Sequence, residues 1–232
     1  MLLVNKPSGV TSHDVVQVIR HKLAVRRIGH TGTLDPMAQG LLILLVGPAT
    51  KSQRAFQTHE KTYEAVLQLG TQTDTADAMG RPIQTAAIPH LDDVRVAEAL
   101  ASFKGPLWQT PPAYSAVKVH GHPAYWWMRR HQPVPLSPRE RFIADITLVS
   151  IDPDQGAMTF RVRCSSGTYI RTLAESIAEG LGTVGHLTSL VRLGIGSWGL
   201  ADAHPLDQLA QASLETVSRQ LLPIPTRVLA HE

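Results

Sequence analysis

The stretch of this chain best suited to chemistry is Gly29-His30-Thr31-Gly32-Thr33-Leu34-Asp35-Pro36-Met37-Ala38-Gln39-Gly40. Its glycines let another chain approach the backbone closely. Pro36 biases the residue before it toward an extended conformation, which sets the Asp35 carboxylate on a stiff stalk. Thr31 and Thr33 carry hydroxyls that can tie up loop amides. A carboxylate presented in this way can act as a nucleophile or as a general acid or base. An Asx-type turn, in which Asp35 only satisfies its own loop, uses the same residues, and the pattern alone leaves both readings open.

Other motifs exclude chemistry rather than offer it. Gly194-Ile195-Gly196-Ser197-Trp198-Gly199 fits G-x-G-x-x-G, but Pro205 interrupts where a dinucleotide fold needs a long helix. Neither G-x-x-x-x-G-K-[ST] nor G-x-S-x-G occurs. His120 and His122 lie together in a turn with no third ligand at metal spacing, so they read as surface imidazoles.

The elements that must position the Asp35 loop follow from periodicity. Leu2–Val4 reads as a buried strand ended by the turn-forming Asn5-Lys6-Pro7-Ser8-Gly9. Thr11 or Ser12 caps a helix whose Val15, Val16, Ile19 and Leu23 recur at helical spacing. Beyond the loop, Gly40–Gly47 predicts a strand buried on both faces and Pro48–Gln57 a helix. Tyr63, Ala65, Leu67 and Leu69 alternate with polar residues, which predicts a half-buried strand over Thr62–Gly70. The polar, acidic Thr71–Arg81 predicts a loop. Helices are predicted at Leu91–Phe103, Pro123–His131 and Thr168–Gly180, and through the last 30 residues. A short strand is predicted near Ser115–Val119, and paired strands at Arg141–Ile151 and Met158–Cys164 across a turn at Asp152–Gly156. Strands and helices mix without regular βαβ alternation, which argues for α+β.

Composition bounds the class. Of 232 residues, 43% are hydrophobic and 18% charged, enough to bury a core and to exclude disorder. The longest apolar run, Leu41–Val46, falls far short of the roughly 20 residues that span a bilayer. The start of the chain lacks a signal-peptide core, so a soluble, cytoplasmic protein is expected. A single cysteine, Cys164, excludes an intrachain disulfide and a multi-cysteine metal site. The net charge of +3 is unevenly spread. Residues 1–34 carry Lys6, Arg20, Lys22, Arg26 and Arg27 against Asp14, and residues 118–141 carry Lys118, Arg129, Arg130, Arg139 and Arg141 against Glu140. Tyr125, Trp126 and Trp127 lie beside the second block; arginines suit phosphates, and aromatic rings offer faces to unpaired bases.

Six separated stretches keep the order and spacing of one family. They are Asn5–Ser12, the Gly29–Gly40 loop, Lys61–Glu64, Gly70–Asp77, Pro112–Lys118 and Ser165–Leu173, with His186–Leu193 following. Through them the chain resembles the TruB-type tRNA pseudouridine synthases, over essentially residues 1–195. The resemblance implies a pseudouridine-synthase catalytic fold, α+β, with a mixed and mainly antiparallel sheet flanked by helices. It implies an enzyme that isomerises uridine 55 in the T-loop of tRNA, breaking the bond to uracil N1, turning the base, and rejoining the sugar at C5. No metal and no organic cofactor is implied.

By the same resemblance Asp35 is the nucleophile and Arg171 its guanidinium partner, while Tyr63 stacks on the uracil and helps to remove the C5 proton. Tyr169 and Leu190 are walls of the uridine pocket, and His30 fills the gap left by the flipped base. Lys6 lies near the active site and supports the Tyr63 region or a phosphate. Lys118, Arg129 and Arg130 belong to an inserted RNA-gripping element at about residues 105–138. The expected organisation is a catalytic domain over residues 1–200 and a short helical tail over 201–232, without the full PUA-type module of longer relatives. The expected partner is the T-arm stem-loop of tRNA, bound by a monomer with no obligate protein partner and no membrane. Trp126 and Trp127 are bulkier than the family's usual residues there. A synthase for another RNA uridine and a non-catalytic tRNA-binding or tRNA-folding module are the alternative readings.

Overall fold

The computed structural model describes residues 1–130, 132 and 135–225. In chain order the elements are β1 (Leu2–Lys6), α1 (Ser12–Leu23), β2 (Ile28–His30), β3 (Gln39–Val46), a 3-10 turn (Gly47–Ser52), α2 (Gln53–Gln57), β4 (Lys61–Leu69), β5 (Thr71–Thr73) and β6 (Pro82–Thr85). There follow α3 (Asp93–Ala101), β7 (Gly105–Gln109), β8 (Lys118–Val119), β9 (His122–Pro123), α4 (Ala124–Met128), β10 (Arg139–Asp152), β11 (Ala157–Cys164), α5 (Ile170–Gly180) and β12 (Gly185–Ile195). The chain continues through β13 (Trp198–Gly199), a 3-10 turn (Leu200–Asp202), β14 (His204–Pro205), α6 (Leu206–Gln211) and α7 (Leu214–Arg219). It divides into two compact units, Met1–Tyr63 with Leu190–Glu232, and Glu64–Ser189.

In the first unit β3 is apolar at nearly every position because both its faces are covered. Leu42 and Leu44, with Leu2 and Val4 of β1, pack on Val15, Val16, Ile19 and Leu23 of α1 and on Leu206, Leu209 and Val217 of α6 and α7. The alternate residues Leu41, Ile43 and Leu45 pack with Leu3, Phe56 and Ile195. β1 and β2 pair antiparallel with β3, while β14 joins β1, and β12 joins β3, in parallel. The α1 start carries a full capping box: Thr11 Oγ1 accepts from the Asp14 amide and the Asp14 carboxylate accepts from the Thr11 amide.

In the second unit the strand order is β12-β4-β11-β10-β7, with β10 antiparallel to both β11 and β7. Met158, Phe160, Val162 and Cys164 alternate inward along β11, and Ile170, Leu173, Ala174, Ile177 and Ala178 form the buried face of α5. The fold is therefore a mixed sheet flanked by helices, α+β. Among the described residues no helix is long and apolar enough to cross a membrane.

Several elements differ from the sequence reading. The predicted loop Thr71–Arg81 begins with β5, which pairs with β6 in a hairpin whose β6 residues are all exposed. Without a buried face such a hairpin shows no apolar period. Pro48–Gln57 is a 3-10 turn followed by the short α2 rather than one α-helix. Ser115–Val119 contributes only the two-residue β8. The Gly194–Gly199 motif is the β12–β13 hairpin, with Ile195 opposite Trp198 and Gly196 at φ +55° where the turn needs it. α4 ends at Met128, and His131 and residues 226–232 of the predicted tail lie outside the described residues.

Candidate functional site

The Asp35 loop has its backbone anchored residue by residue from within the first unit. Arg192 of β12 donates from Nη2 to Gly32 O (3.0 Å) and from Nη1 to Thr33 O (3.4 Å), and its Nε donates to Leu41 O in β3 (2.7 Å). The Ser12 hydroxyl donates to Leu34 O (3.1 Å) and accepts from Leu34 N (2.8 Å). Asp35 O accepts from Ala38 N (3.1 Å), and Pro36 O from Gly9 N (2.8 Å) and Lys6 Nζ (3.3 Å). Ser8 Oγ donates to Met37 O (2.9 Å). Every carbonyl from Gly32 to Met37 thus has a donor, and the half-buried Asp35 stands on a fixed backbone.

The expected contribution of Thr31 is different. Its hydroxyl is buried without a hydrogen-bond partner among the described residues, and side chains from β1, α1 and β12 tie the loop. Lys6 has no exposed surface. Its ammonium donates to Val10 O (2.7 Å), Pro7 O (3.0 Å) and Pro36 O, a set that anchors the turn rather than meeting a phosphate. Burial pushes Lys6 down to about 8, with Arg192 adding to the effect and Asp35 and Asp14 opposing it. His30 ends β2, and burial, then the Arg192 charge and His13, hold its imidazole below the usual range. Tyr63 and Leu190 are both buried, on β4 and β12. Gly40 has φ +107°, and a Cβ there would overlap the backbone of Arg192, so β3 and β12 approach as closely as they do because residue 40 has no side chain.

Arg171 and Tyr169 belong to the second unit. Arg171 is 4% exposed and donates to Thr75 O and Tyr114 O, each at 3.0 Å, with Asp77 Oδ2 at 3.7 Å. Asp77, itself buried, accepts at Oδ1 from Thr75 Oγ1 (2.6 Å) and Met79 N (3.0 Å), which aims its second oxygen at the guanidinium. Tyr169 is the residue before α5, where Gln109 holds its backbone on both sides: Nε2 donates to Tyr169 O and Oε1 accepts from Tyr169 N.

Lys118, Arg129 and Arg130 are exposed on and beside the β8–β9 hairpin and α4. His120 and Gly121, both at positive φ, make the tight turn, and Trp127 Nε1 donates to Val119 O (3.1 Å), fastening the helix to the hairpin. The His122 ring stacks on Trp126 at 4.1 Å and 11°, and the Arg130 guanidinium lies 3.6 Å from the Trp126 ring centre. At those distances the two groups cannot share a face. They cover opposite sides of the indole, and Trp126 presents no open face to a base. Its bulk is explained as the middle layer of this stack.

Sequence reasoning missed the side chains that hold these residues, Arg192 and Ser12 in the first unit and Asp77 and Gln109 in the second. Three of the four act largely on backbone carbonyls or amides, which leave no pattern in a sequence. Asp77 carried a signal, since it ends the Gly70–Asp77 stretch, where it follows Asp74 and three threonines.

Solved structures share the fold. A chain in the archaeal box H/ACA sRNP Nop10–Cbf5 complex superposes with a TM-score of 0.66 at 25% identity, over 90% of this chain and 52% of its own. A chain in a Cbf5–Nop10–Gar1 complex gives 0.69 at 25% identity, over 95% and 61%. The chain thus spans half to three fifths of those structures. The profile of the TruB family pseudouridylate synthase (N terminal domain) matches residues 20–170. A curated relative from Opitutus terrae, named tRNA pseudouridine synthase B, is 41% identical over 97% of this chain and 92% of its own. One of the same name from Burkholderia pseudomallei is 44% identical over 97% and 73%. The chain belongs to the TruB family of pseudouridylate synthases.

Proposed function

We propose that this protein isomerises uridine 55 in the T-loop of tRNA to pseudouridine, with Asp35 as the nucleophile. Family membership and the name shared by its curated relatives support the reaction. The observation that carries the role of Asp35 is the loop beneath it, in which each carbonyl from Gly32 to Met37 is held. A nucleophile needs that immobility, because small displacements from attack geometry are costly.

In this reading the uridine is flipped from its stack at a cost of a few kcal/mol, and His30 takes its place. The N1–C1′ bond breaks, the base turns, and a C5–C1′ bond forms. The C5 proton then leaves to solvent, and N1 carries a proton in the product. The carboxylate divides one hard step into two, by attack either at C6 of the base or at C1′ of the sugar. Arg171 supports the carboxylate, Tyr63 stacks on the uracil, and Tyr169 and Leu190 keep the detached base from bulk water. Lys118, Arg129 and Arg130 hold phosphates of the T-arm. The protein acts as a monomer in the cytoplasm.

The test is tritium release from a T-loop stem-loop labelled at uridine C5. Release by the wild type and none by Asp35→Asn is the expected result. Tight binding without release from either would favour a binding or folding module. Preference for a hairpin other than the T-loop would move the target to another uridine.

A further inference from the structure

We propose that Arg192 and Ser12 are positioning residues that set the reactivity of Asp35 by locking the backbone of Gly32–Leu34. The proposal rests on the reading of Asp35 as nucleophile. Neither residue is needed to fill space, since an apolar side chain of similar size would do that without burying a charge. A guanidinium with almost no exposed surface is expensive to desolvate, and here each of its three nitrogens donates to a backbone carbonyl.

Arg192 uses its fork in a way that a point donor cannot. One arm, Nε, is fixed on Leu41 O of the central strand, while the two terminal nitrogens reach Gly32 O and Thr33 O in the loop. The loop is therefore referenced to the sheet through a planar, rigid group. Turning the Gly32 and Thr33 carbonyls toward Arg192 also fixes the orientation of the two peptide planes that follow them. The next peptide is fixed by Ser12, whose one hydroxyl satisfies both the carbonyl and the amide of Leu34. Asp35 follows immediately. Within the loop itself the hold is a backbone bond from Ala38 N to Asp35 O, and among the described residues neither Thr31 Oγ1 nor His30 Nδ1 has a hydrogen-bond partner.

Two measurements test this on Arg192→Lys and Ser12→Ala. The first is hydrogen exchange of the free protein over residues 30–38. The second is the single-turnover rate at saturating T-loop RNA, with the RNA dissociation constant measured alongside. For variants that keep cooperative unfolding, exchange in this segment should accelerate ~10-fold with the rest of the protein unchanged. The turnover rate should fall ~100-fold while RNA affinity stays within ~3-fold. Unchanged exchange and rate in a folded variant would overturn the proposal. So would weakened affinity at an unchanged rate, which would make Arg192 an RNA-binding residue. If Arg192→Lys does not fold, Ser12→Ala carries the same decision. Wild-type protein that binds RNA without turnover would instead overturn the functional reading, and the exchange result then decides the anchoring by itself.

Discussion

His30 and Arg171 show how burial gives individual side chains testable behaviour. Because His30 is held below its ordinary value of 6.5, the unfolded chain binds a proton there before the folded one does. The stability is therefore full above the unfolded value and falls as pH drops below it. We expect the wild type to lose stability from pH 7 to 5.5 more steeply than His30→Gln, as measured by urea midpoints at each pH. Parallel pH profiles would show that His30 titrates normally. Arg171→Ala removes a buried guanidinium that serves Thr75 O, Tyr114 O and the Asp77 carboxylate. Asp77 keeps its two other donors, so the variant should fold with a loss of about 2 kcal/mol. Turnover at saturating tRNA should nonetheless fall ~100-fold; near-wild-type rates would remove Arg171 from the mechanism.

At the scale of elements, the β3–β12 pairing decides where the Asp35 loop sits, and it depends on Gly40. Gly40→Ala meets the Arg192 backbone and a φ of +107°, so strand separation is unavoidable. The expected cost is about 3 kcal/mol in urea unfolding, against less than about 1 kcal/mol for alanine at Gly29, where the nearest atoms stand at 3.7 Å and beyond. What could be read from sequence at this scale follows from burial. β3 and α1 were legible because one has two covered faces and the other a single apolar stripe. β5 and β6 were not, since their hairpin is too exposed to carry a period, and along β12 the buried positions change phase, from Gly185 and Leu187 to Leu190 and Arg192. The Asp35 loop was legible as a glycine-rich turn stiffened by its Asp-Pro pair, while the role of its carboxylate came from the family resemblance and not from the pattern. Its supports were not, because Arg192 and Ser12 bind carbonyls and amides that any residue could supply.

For the whole molecule, a net charge of +3 conceals the concentration of Lys118, Arg129 and Arg130 around one hairpin. If these cations meet phosphates, RNA affinity should fall linearly with log salt, and each neutralising substitution should reduce that slope by about 0.7–1. An unchanged slope for all three would place the RNA elsewhere. Trp126 should behave differently. Its faces are occupied by His122 and Arg130, so Trp126→Leu should weaken binding by releasing Arg130 rather than by losing a stacked base, and its salt slope should shift like that of Arg130→Ala.

Cys164, the last residue of β11, has no exposed surface and is the chain's one thiol. Maleimides and disulfide reagents therefore find nothing to react with until β11 opens, so the native protein carries a silent reporter of its own unfolding. The same silence leaves the surface free for site-specific dyes: a cysteine substituted on the β8–β9 hairpin could be labelled alone, with Cys164 left in place.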